Sequence, residues 1–408
     1  MARILVLGAG FAGLWAAVGA ARKLDEVGAR PGEVEVLVVD RNPYHNIRVR
    51  NYESDLSTVA IPLTEVLDPI GVNHLTAEVQ AIDVVGQQVI VATSRGGEVV
   101  AYDRLVLALG SELARPDIPG FASNCFDVDT YAAAVRLNAH IAALGTRPVS
   151  PGRSTVVVVG AGFTGIEVAT AMPGKLTRAL GADDNRVILV DPNPVVGATI
   201  GDQARPVICE ALPALGIETR LNAKVAAIDA HGLALASGEV IPAQTIVWCA
   251  GMRASRITAM LNGAHDKLGR LAVDQFMRVA GLTNVFAAGD VAASLVDGIH
   301  STVMSCQFAR PMGRFAGHNV VADLFAQPML PLRIDWYVTV LDLGPRGALY
   351  TTGWDRRLFC TGYDAKVIKQ TINQKRIYPP LSGAREDILA AAAPVVQAPP
   401  QYHALSGT

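Results

Sequence analysis

The sequence has no excess of charge of either sign. Its 408 residues include 35 basic and 37 acidic side chains, which gives a formal net charge of −2 at pH 7. A nucleic acid or an anionic membrane surface would favour a strongly basic chain. The composition therefore predicts neither partner. Half of the residues are hydrophobic and only 18% are charged, which is typical of a globular protein with large cores.

The sequence also has few cysteines, and their spacing does not pair them. Five are scattered along the chain without a C-x-x-C or C-x4-C pattern, at Cys125, Cys209, Cys249, Cys306 and Cys360. This set predicts no disulfide framework and no redox dithiol, and it favours a reducing, cytoplasmic environment. The eight histidines show no metal-ligand spacing either. The sequence therefore predicts no metal site.

What the sequence does have is a long apolar start. Residues 4–21 are all apolar or glycine. Such a run could be a signal peptide or a membrane span. Four glycines lie inside it, three of them with the spacing of a loop, and a buried strand, turn and helix account for the same residues. We therefore expect a buried strand–turn–helix.

The glycines of this run form a nucleotide-binding pattern. An apolar strand at 4–7 precedes Gly8, Gly10 and Gly13, and a helical stretch follows. Gly8 permits a tight turn, Gly10 lets the backbone approach a pyrophosphate, and Gly13 lets the helix pack close to the strand. The free N–H groups of the helix N-terminus favour the negative charge. A second apolar strand ends in Asp40, whose carboxylate can accept the ribose hydroxyls of an adenosine.

The same pattern occurs a second time. An apolar strand at 156–159 precedes Gly160, Gly162 and Gly165, and a following strand ends in Asp191. No Arg or Lys directly follows Asp191 to hold a 2′-phosphate, which favours NADH over NADPH.

The duplication extends beyond the loops. The segment at 77–83 is similar to that at 223–229, each precedes a hairpin-like stretch, and each hairpin precedes a strand ending in glycine, at 105–110 and 246–251. The sequence thus predicts two α/β units, each with a βαβ start, a three-stranded meander and a return strand. Two dinucleotide sites suggest one bound redox cofactor and one diffusible hydride donor whose reactive rings meet between the units.

With these motifs placed, the chain resembles the two-dinucleotide-binding-domain flavoproteins of the pyridine nucleotide–disulfide oxidoreductase superfamily, and most of all type II NADH dehydrogenases. The segments 102–111, 245–251 and 283–290 carry the resemblance beyond the glycine loops, and it covers roughly residues 3–325. It implies an α/β fold with two Rossmann-like domains, for FAD and for NADH, the latter inserted, and a C-terminal α+β segment.

The resemblance also implies domain boundaries and cofactor residues. The expected units are a first part of the FAD domain at 1–120, an NAD(P)H domain with linkers at 121–269, a second FAD part at 270–328, an α+β interface segment at 329–380 and a flexible tail at 381–408. The residues expected to bind FAD are Gly8, Gly10, Phe11, Ala12, Gly13, Asp40, Arg41, Gly110, Gly289 and Asp290. Those expected to bind NADH are Gly160, Gly162, Gly165, Asp191 and Gly251. Arg48 and Arg50 could pair with FAD phosphates or face solvent.

Three candidate catalytic residues follow from the resemblance. Glu167 stands where the family has a glutamate facing nicotinamide and flavin; the alternative is a first-turn glutamate that complements the helix dipole. Gln307 is retained in the family's quinone-site segment, but Pro311 and Met312 replace two glutamines, which puts a quinone acceptor in doubt. Cys306 begins the same helix and is either an activated thiol or a buried packing residue, the latter favoured.

The function that the resemblance implies is an FAD-dependent NADH:acceptor oxidoreductase. Hydride would pass from NADH to flavin N5, and the electrons would go on to a quinone or another small acceptor. The alternative is a reductase for a redox protein such as a ferredoxin or rubredoxin. Lys366 and Lys369 are expected to face water. The proline-rich tail is expected to be partly disordered and has no basic amphipathic face. Peripheral attachment to the inner face of a membrane and a homodimer are left open.

Overall fold

The computed structural model describes residues 1–181 and 185–400. The strands up to the first linker are β1 (Ala2–Leu7), β2 (Val34–Asp40), β3 (Tyr44–Asn46), β4 (Ala60–Pro62), β5 (Asn73–Thr76), β6 (Glu78–Asp83), β7 (Gln88–Thr93), β8 (Gly96–Ala101), β9 (Arg104–Leu107) and β10 (Ser111–Leu113). Those of the middle of the chain are β11 (Cys125–Phe126), β12 (Thr155–Val159), β13 (Arg186–Val190), β14 (Ile217–Arg220), β15 (Val225–Asp229), β16 (Gly232–Leu235), β17 (Val240–Pro242), β18 (Thr245–Trp248) and β19 (Met252–Ala254). The later strands are β20 (Leu271–Ala272), β21 (Val285–Ala287), β22 (Ala292–Ala293), β23 (Val338–Asp342), β24 (Ala348–Thr352) and β25 (Arg357–Thr361). The helices are α1 (Phe11–Glu26), α2 (Leu63–Leu67), α3 (Phe121–Asn124), α4 (Tyr131–Ala143), α5 (Phe163–Leu180), α6 (Arg205–Ala214), α7 (Cys306–Leu324), α8 (Gly362–Thr371) and α9 (Arg385–Ala391).

The first unit is built on a parallel sheet with strand order β21–β9–β1–β2–β5. Residues 4–7 of β1 are completely buried, because α1 and α7 pack against the sheet and the buried side chains of the meander β6–β7–β8 belong to the same core. A strand–turn–helix therefore accounts for the apolar start of the chain, as expected. In the sequence, the antiparallel meander β6–β7–β8 comes between strands β5 and β9 of this sheet.

The second unit repeats this design. Its parallel sheet has the order β11–β18–β12–β13–β14, and its meander is β15–β16–β17. The return strand, the glycine-loop strand, the acid-ended strand and the next strand occupy the same relative positions in both sheets. The predicted α/β fold with two Rossmann-like units is therefore confirmed. Because β21 returns to the first sheet after the second is complete, the second unit is an insertion in the first.

Two helices of the first unit pack unusually close together. A Cβ atom at Gly313 of α7 would stand 2.2 Å from the carbonyl oxygen of Ala12, and one at Gly317 would stand 2.1 Å from that of Ala16. Glycine at these two positions lets the backbones of α1 and α7 touch. The contact holds the N-terminus of α7 beside the N-terminus of α1.

The C-terminal part differs from the expected flexible tail. The antiparallel sheet β23–β24–β25 and α8 form the predicted α+β segment. After it, α9 packs on α1, with Ile388 fully buried and Leu389 nearly so. The expectation of a partly disordered tail is therefore wrong for the stretch that α9 anchors, whereas residues 401–408 lie outside the described residues. In the described chain, none of the helices combines the length and the apolar character needed to cross a bilayer.

Candidate active site

A cavity of about 840 Å³ lies between the first sheet, the second unit, α7 and the C-terminal sheet. The N-termini of three helices line it: α1 through Phe11 and Ala12, α5 through Phe163, and α7 through Cys306. None of these helices has a side chain that caps its first N–H groups. Uncapped N–H groups need acceptors, and a helix N-terminus favours an anionic one. The cavity therefore has three places suited to the acceptor atoms of a ligand.

The three glycines of the first loop have different roles. Gly8 has φ of +100°, and its Cβ would lie 2.4 Å from the carbonyl oxygen of Ala108. A Cβ on Gly13 would lie 1.8 Å from the carbonyl oxygen of Gly8. By contrast, a Cβ on Gly10 meets nothing within 4 Å, and Gly10 lines the cavity. Gly8 and Gly13 therefore serve the fold, whereas Gly10 leaves room for a ligand.

The second loop has the same geometry. A Cβ on Gly165 would lie 1.7 Å from the carbonyl oxygen of Gly160, and one on Gly162 meets nothing within 4 Å. The acids at the strand ends match as well. Asp40 accepts a hydrogen bond from the N–H of Ala9 at 2.7 Å, and Asp191 accepts one from the N–H of Ala161 at 2.6 Å. The repeat thus extends to individual hydrogen bonds.

The first glycine loop lines the cavity, and the glycines of the second loop do not. Nearly all residues expected to bind FAD line it: Gly8, Gly10, Phe11, Ala12, Asp40, Arg41, Gly110, Gly289 and Asp290. Gly13 lies behind the loop. The residues expected to bind NADH are outside the lining: Gly160, Gly162, Gly165, Asp191 and Gly251. The second unit lines the cavity with the first turns of α5 and with Trp248 and Cys249 at the end of β18.

Buried acids mark the end of the cavity nearest the first loop. Burial raises the pKa of Asp40 and that of Asp290. Asp290 accepts a hydrogen bond from the Ser111 hydroxyl at 2.6 Å, and the Arg48 guanidinium lies 3.9 Å away. Arg48 lines the cavity and is ion-paired with Asp129, and Arg50 is paired with Glu53. Ser111 is not among the predicted site residues, because a lone serine after a strand is not a motif.

A buried ion pair crosses the cavity wall from the second unit to the C-terminal helix. The Lys369 ammonium of α8 lies 2.6 Å from Glu167 Oε1 of α5, and each side chain is 9% exposed. Glu167 also accepts a hydrogen bond from the backbone N–H of Asp342 at 3.0 Å. Burial disfavours the charge on Lys369, but the Glu167 carboxylate outweighs it and raises the pKa of the lysine. The expectation that Lys369 faces water is wrong, because Glu167 compensates a charge that could not be buried alone.

Around this pair the polar groups are connected. Asp342 accepts a hydrogen bond from the Tyr52 hydroxyl at 2.9 Å and lies 2.6 Å from the Lys366 ammonium. Lys366 is about a quarter exposed, so it too is ion-paired rather than simply solvated. The alternative role for Glu167, a first-turn glutamate that only complements the helix dipole, does not explain these contacts. The Glu167 carboxylate is bound by Lys369 of α8 and by the backbone N–H of Asp342 in β23.

The start of α7 supplies the other candidate residues. Gln307 lines the cavity and donates a hydrogen bond to the Trp336 carbonyl at 3.4 Å. Burial raises the pKa of Cys306, which is a free thiol, and this opposes an activated thiolate. Pro311 also lines the cavity, whereas Met312 is buried in the core. Across residues 1–181 and 185–400, no cluster of three or more His, Cys, Asp or Glu side chains could hold a metal ion.

Comparison with known proteins identifies the family. The family model for pyridine nucleotide-disulphide oxidoreductases matches residues 2–313, which include both glycine loops and the start of α7. The chain belongs to the pyridine nucleotide-disulphide oxidoreductase family. It is therefore an NAD(P)H oxidoreductase.

The similar proteins cover most of this chain. An NADH dehydrogenase-like protein of Mycobacterium tuberculosis is 56% identical over 403 residues, covering 98% of this chain and 100% of that protein. The demethylphylloquinone reductase of Synechocystis sp. is 28% identical over 356 residues, covering 85% of this chain and 86% of that protein. A solved structure of NDH2 from Plasmodium falciparum in complex with NADH has a TM-score of 0.76 at 13% identity, covering 96% of this chain and 97% of that one. At that identity the likeness shows the fold alone.

Proposed function

We propose that this protein is an FAD-dependent NADH:acceptor oxidoreductase whose acceptor is a quinone or another small molecule. The observation that carries the proposal is the convergence of three uncapped helix N-termini, one from each glycine loop and one from α7, on a single cavity. A dinucleotide held by one unit can then meet a dinucleotide held by the other. The acceptor would approach from the side of α7 and α8.

The residues of the first unit are suited to FAD. Gly10 offers open space at an uncapped helix N-terminus for the pyrophosphate. Asp40, at the end of β2, offers a carboxylate to the ribose, and Asp290 with Ser111 offers polar groups to the linking chain. When bound, FAD supplies the capacity to accept a hydride at N5 and to release electrons to a second substrate.

The residues of the second unit are suited to NADH rather than NADPH. Asp191 directly follows β13 and would face the adenosine ribose, where a carboxylate repels a 2′-phosphate. The nearby Arg220 guanidinium is paired with Glu218 at 3.1 Å and with Glu239 at 3.0 Å. These ion pairs leave that arginine engaged and therefore poorly placed to hold a phosphate.

The Glu167–Lys369 pair gives the cavity a fixed charged wall. Glu167 keeps the Lys369 ammonium protonated, and the ammonium can donate a hydrogen bond to a carbonyl or phenolate oxygen that enters the cavity. Burial of the pair excludes water from this wall. We infer that the pair orients the acceptor and supplies a proton donor beside it.

Fewer observations support a quinone as the acceptor than support FAD and NADH as the cofactors. Among the relatives, the Synechocystis protein is named a demethylphylloquinone reductase. Gln307 stands at the cavity with an amide able to bond a carbonyl, but Pro311 makes the adjoining wall apolar. We therefore assign the class of small, planar, conjugated acceptors, of which quinones are one.

An acceptor panel tests the proposal. NADH oxidation by the flavin-loaded enzyme is followed with soluble quinones, ferricyanide, oxygen and a ferredoxin, and again with NADPH as donor. The proposal expects turnover with a quinone or another small, planar, conjugated acceptor, and at least tenfold higher kcat/KM with NADH than with NADPH. Rapid transfer to the protein carrier alone would contradict it and would establish a reductase for a redox protein.

A further inference from the structure

One part of the cavity wall has no role in the function proposed above. Three arginines line the cavity: Arg310 and Arg314 of α7, and Arg376 in the turn Ile372–Arg376 after α8. We refer to these three residues as the arginine cluster. Arg310 is 7% exposed and Arg314 is 2% exposed. Buried guanidinium groups are normally paired with carboxylates or phosphates.

The arginine cluster has no such partner within the described residues. Among residues 1–181 and 185–400, no carboxylate oxygen lies within 4.0 Å of any of the three guanidinium groups. The only hydrogen bonds that the cluster makes there are to neutral oxygens of the tail. Arg310 donates to the Gln397 side chain at 3.3 Å, and Arg376 donates to the Ala398 carbonyl. The Nε–H groups of Arg310 and Arg314 are buried without a partner.

Stacking on an aromatic ring satisfies the flat faces of the Arg310 and Arg314 guanidinium groups, but it provides no acceptor for their N–H groups. Arg314 lies over the Trp15 ring of α1, with Cζ 4.3 Å from the ring centroid, and Arg310 lies at 5.3 Å. A cation–π contact uses the face of the guanidinium, whereas its N–H groups point outward from the edge. Edge donors that face a cavity fit the planar oxygens of a carboxylate or the oxygens of a phosphate.

Repulsion among the three arginines also favours a bound anion. Burial lowers the pKa of Arg314 to about 9, and the positive charges of Arg310 and Arg376 lower it further. Burial likewise lowers the pKa of Arg310 to about 10. Like charges that face one another without a counter-charge destabilise the folded state. A bound anion would remove that repulsion.

We propose that the arginine cluster binds the oxyanion group of the electron acceptor, so that the acceptor is an aromatic molecule carrying a carboxylate or phosphate. The inference rests on the proposed function, since it assigns the anion to the acceptor of the same cavity. The ring would lie toward Gln307, and the oxyanion would replace Gln397 as the acceptor of the Arg310 hydrogen bond. A neutral quinone without an anionic group would leave the cluster unpaired.

Calorimetric titration of the flavin-loaded enzyme tests the assignment. The probes are a naphthoquinone that carries a carboxylate and the matched neutral naphthoquinone. Charge-assisted hydrogen bonds predict that the carboxylate probe binds about ten- to a hundredfold more tightly. Inorganic phosphate should compete with the carboxylate probe and leave binding of the neutral one unchanged. Equal affinities in the wild-type protein would overturn the proposal, whatever the variants do.

Variants locate the effect. Arg314→Met and Arg310→Met keep the length of the side chain and remove its charge, so each should reduce the preference for the carboxylate probe at least tenfold. The matched control is Arg333→Met, because Arg333 is 69% exposed and is paired with Asp335 at 2.7 Å. Retention of the full preference in both cluster variants would contradict the assignment. If neither variant folds, the comparison of the two probes and the phosphate competition decide the outcome.

Two further measurements distinguish an anion on the acceptor from a lipid phosphate, and failure of this inference from failure of the proposed function. Sedimentation with phosphatidylglycerol vesicles should be the same for wild type and both cluster variants. Vesicle binding that depends on the cluster, together with equal affinity for the two probes, would show a lipid phosphate as the ligand and would overturn the acceptor assignment. Anaerobic reduction of the flavin by NADH does not require the cluster. Equal affinity of the wild-type protein for the two probes, together with intact reduction, would therefore refute this inference and leave the proposed function standing.

Discussion

At the scale of single residues, the Glu167–Lys369 pair shows how burial couples distant parts of the chain. Lys369→Met would leave the Glu167 carboxylate buried without its counter-charge. Removal of one partner of a buried pair costs about 3–5 kcal/mol of the free energy of unfolding. Chemical denaturation of the flavin-loaded protein measures this loss.

The matched control for that prediction removes both charges. In the double variant Glu167→Gln/Lys369→Met no charge remains unpaired, so most of the lost stability should return. A double variant as unstable as the sum of the two single ones would show that the two side chains are not coupled as described.

His45 gives a residue-scale prediction for pH. It is completely buried, and burial lowers its pKa from the usual 6.5 to about 4. Because the folded pKa lies below the unfolded one, the unfolded chain takes up a proton below pH 6.5 that the folded chain refuses until about pH 4. His45 alone should therefore reduce stability by about 2.5 kcal/mol between pH 7 and pH 4.5.

Denaturation curves at several pH values measure that dependence. The variant His45→Gln cannot titrate, so the pH-dependent loss should shrink by the His45 contribution. An unchanged slope in the variant would mean that His45 is protonated in the folded protein. The control His74→Gln changes a histidine of β5 that is only partly buried.

Residue-scale prediction from sequence had a clear limit. Glu167 could be singled out because it follows a glycine loop at a fixed spacing. Its partner could not, because Lys369 lies 202 residues further along the chain and nothing local distinguishes it from a solvent-facing lysine. Ser111 and the arginine cluster were missed for the same reason. Contacts between side chains of separate elements have no signature in local sequence.

At the scale of elements, the two glycine loops make matched predictions. Gly10→Ala should leave the fold nearly as stable, since the added Cβ meets nothing within 4 Å and the backbone has φ of −69°. The Cβ would still stand where a pyrophosphate must approach. We expect at least a tenfold loss of FAD affinity, seen as flavin absorbance lost on desalting, with a melting temperature of the apoprotein within a few degrees of wild type.

The second loop should show the opposite selectivity. Gly162→Ala adds a Cβ that also meets nothing within 4 Å. This variant should keep its flavin and raise the KM for NADH at least tenfold, measured in steady-state assays. A Gly162→Ala protein that loses flavin and keeps its KM for NADH would reverse the assignment of the two units.

The third glycine of each loop provides the control for both predictions. In Gly13→Ala and Gly165→Ala the new Cβ would fall 1.8 Å and 1.7 Å from a carbonyl oxygen of the same loop. The strand and helix would have to separate, which costs about 3 kcal/mol or more. These variants should unfold at lower denaturant concentration with or without ligands, unlike those at Gly10 and Gly162.

Regular elements were the most predictable part of the structure. Four-residue apolar runs followed by glycine predicted the cores of β1 and β12, and the repeated order of later segments predicted both meanders. Predicted and observed strand ends differ by up to three residues, because edges depend on hydrogen bonds to neighbouring strands. The two return strands were expected to end at Gly110 and Gly251, but they end at Leu107 and Trp248. The close packing of α1 on α7 could not be predicted, since Gly313 and Gly317 resemble any glycines in a helix until the partner carbonyls are known.

At the scale of the whole molecule, the tail is part of the core. The helix α9 was not predicted, because seven residues between prolines give a weak pattern and its partner α1 lies at the other end of the chain. Ile388 is fully buried, so Ile388→Ala should lower the free energy of unfolding by about 2–4 kcal/mol. Val395→Ala, at a site 57% exposed, should change it little. Equal effects in urea denaturation would place α9 away from the core.

The central claim is that two nucleotide cradles in one chain bring a flavin and a nicotinamide together at one cavity. Anaerobic mixing of the purified, flavin-loaded protein with NADH, followed at the flavin absorbance near 450 nm, tests it most directly. We predict rapid loss of the yellow colour in the wild-type protein and much slower loss in Gly162→Ala at the same NADH concentration. A folded protein that holds no flavin, or a flavin that stays oxidised in excess NADH and NADPH, would contradict the claim.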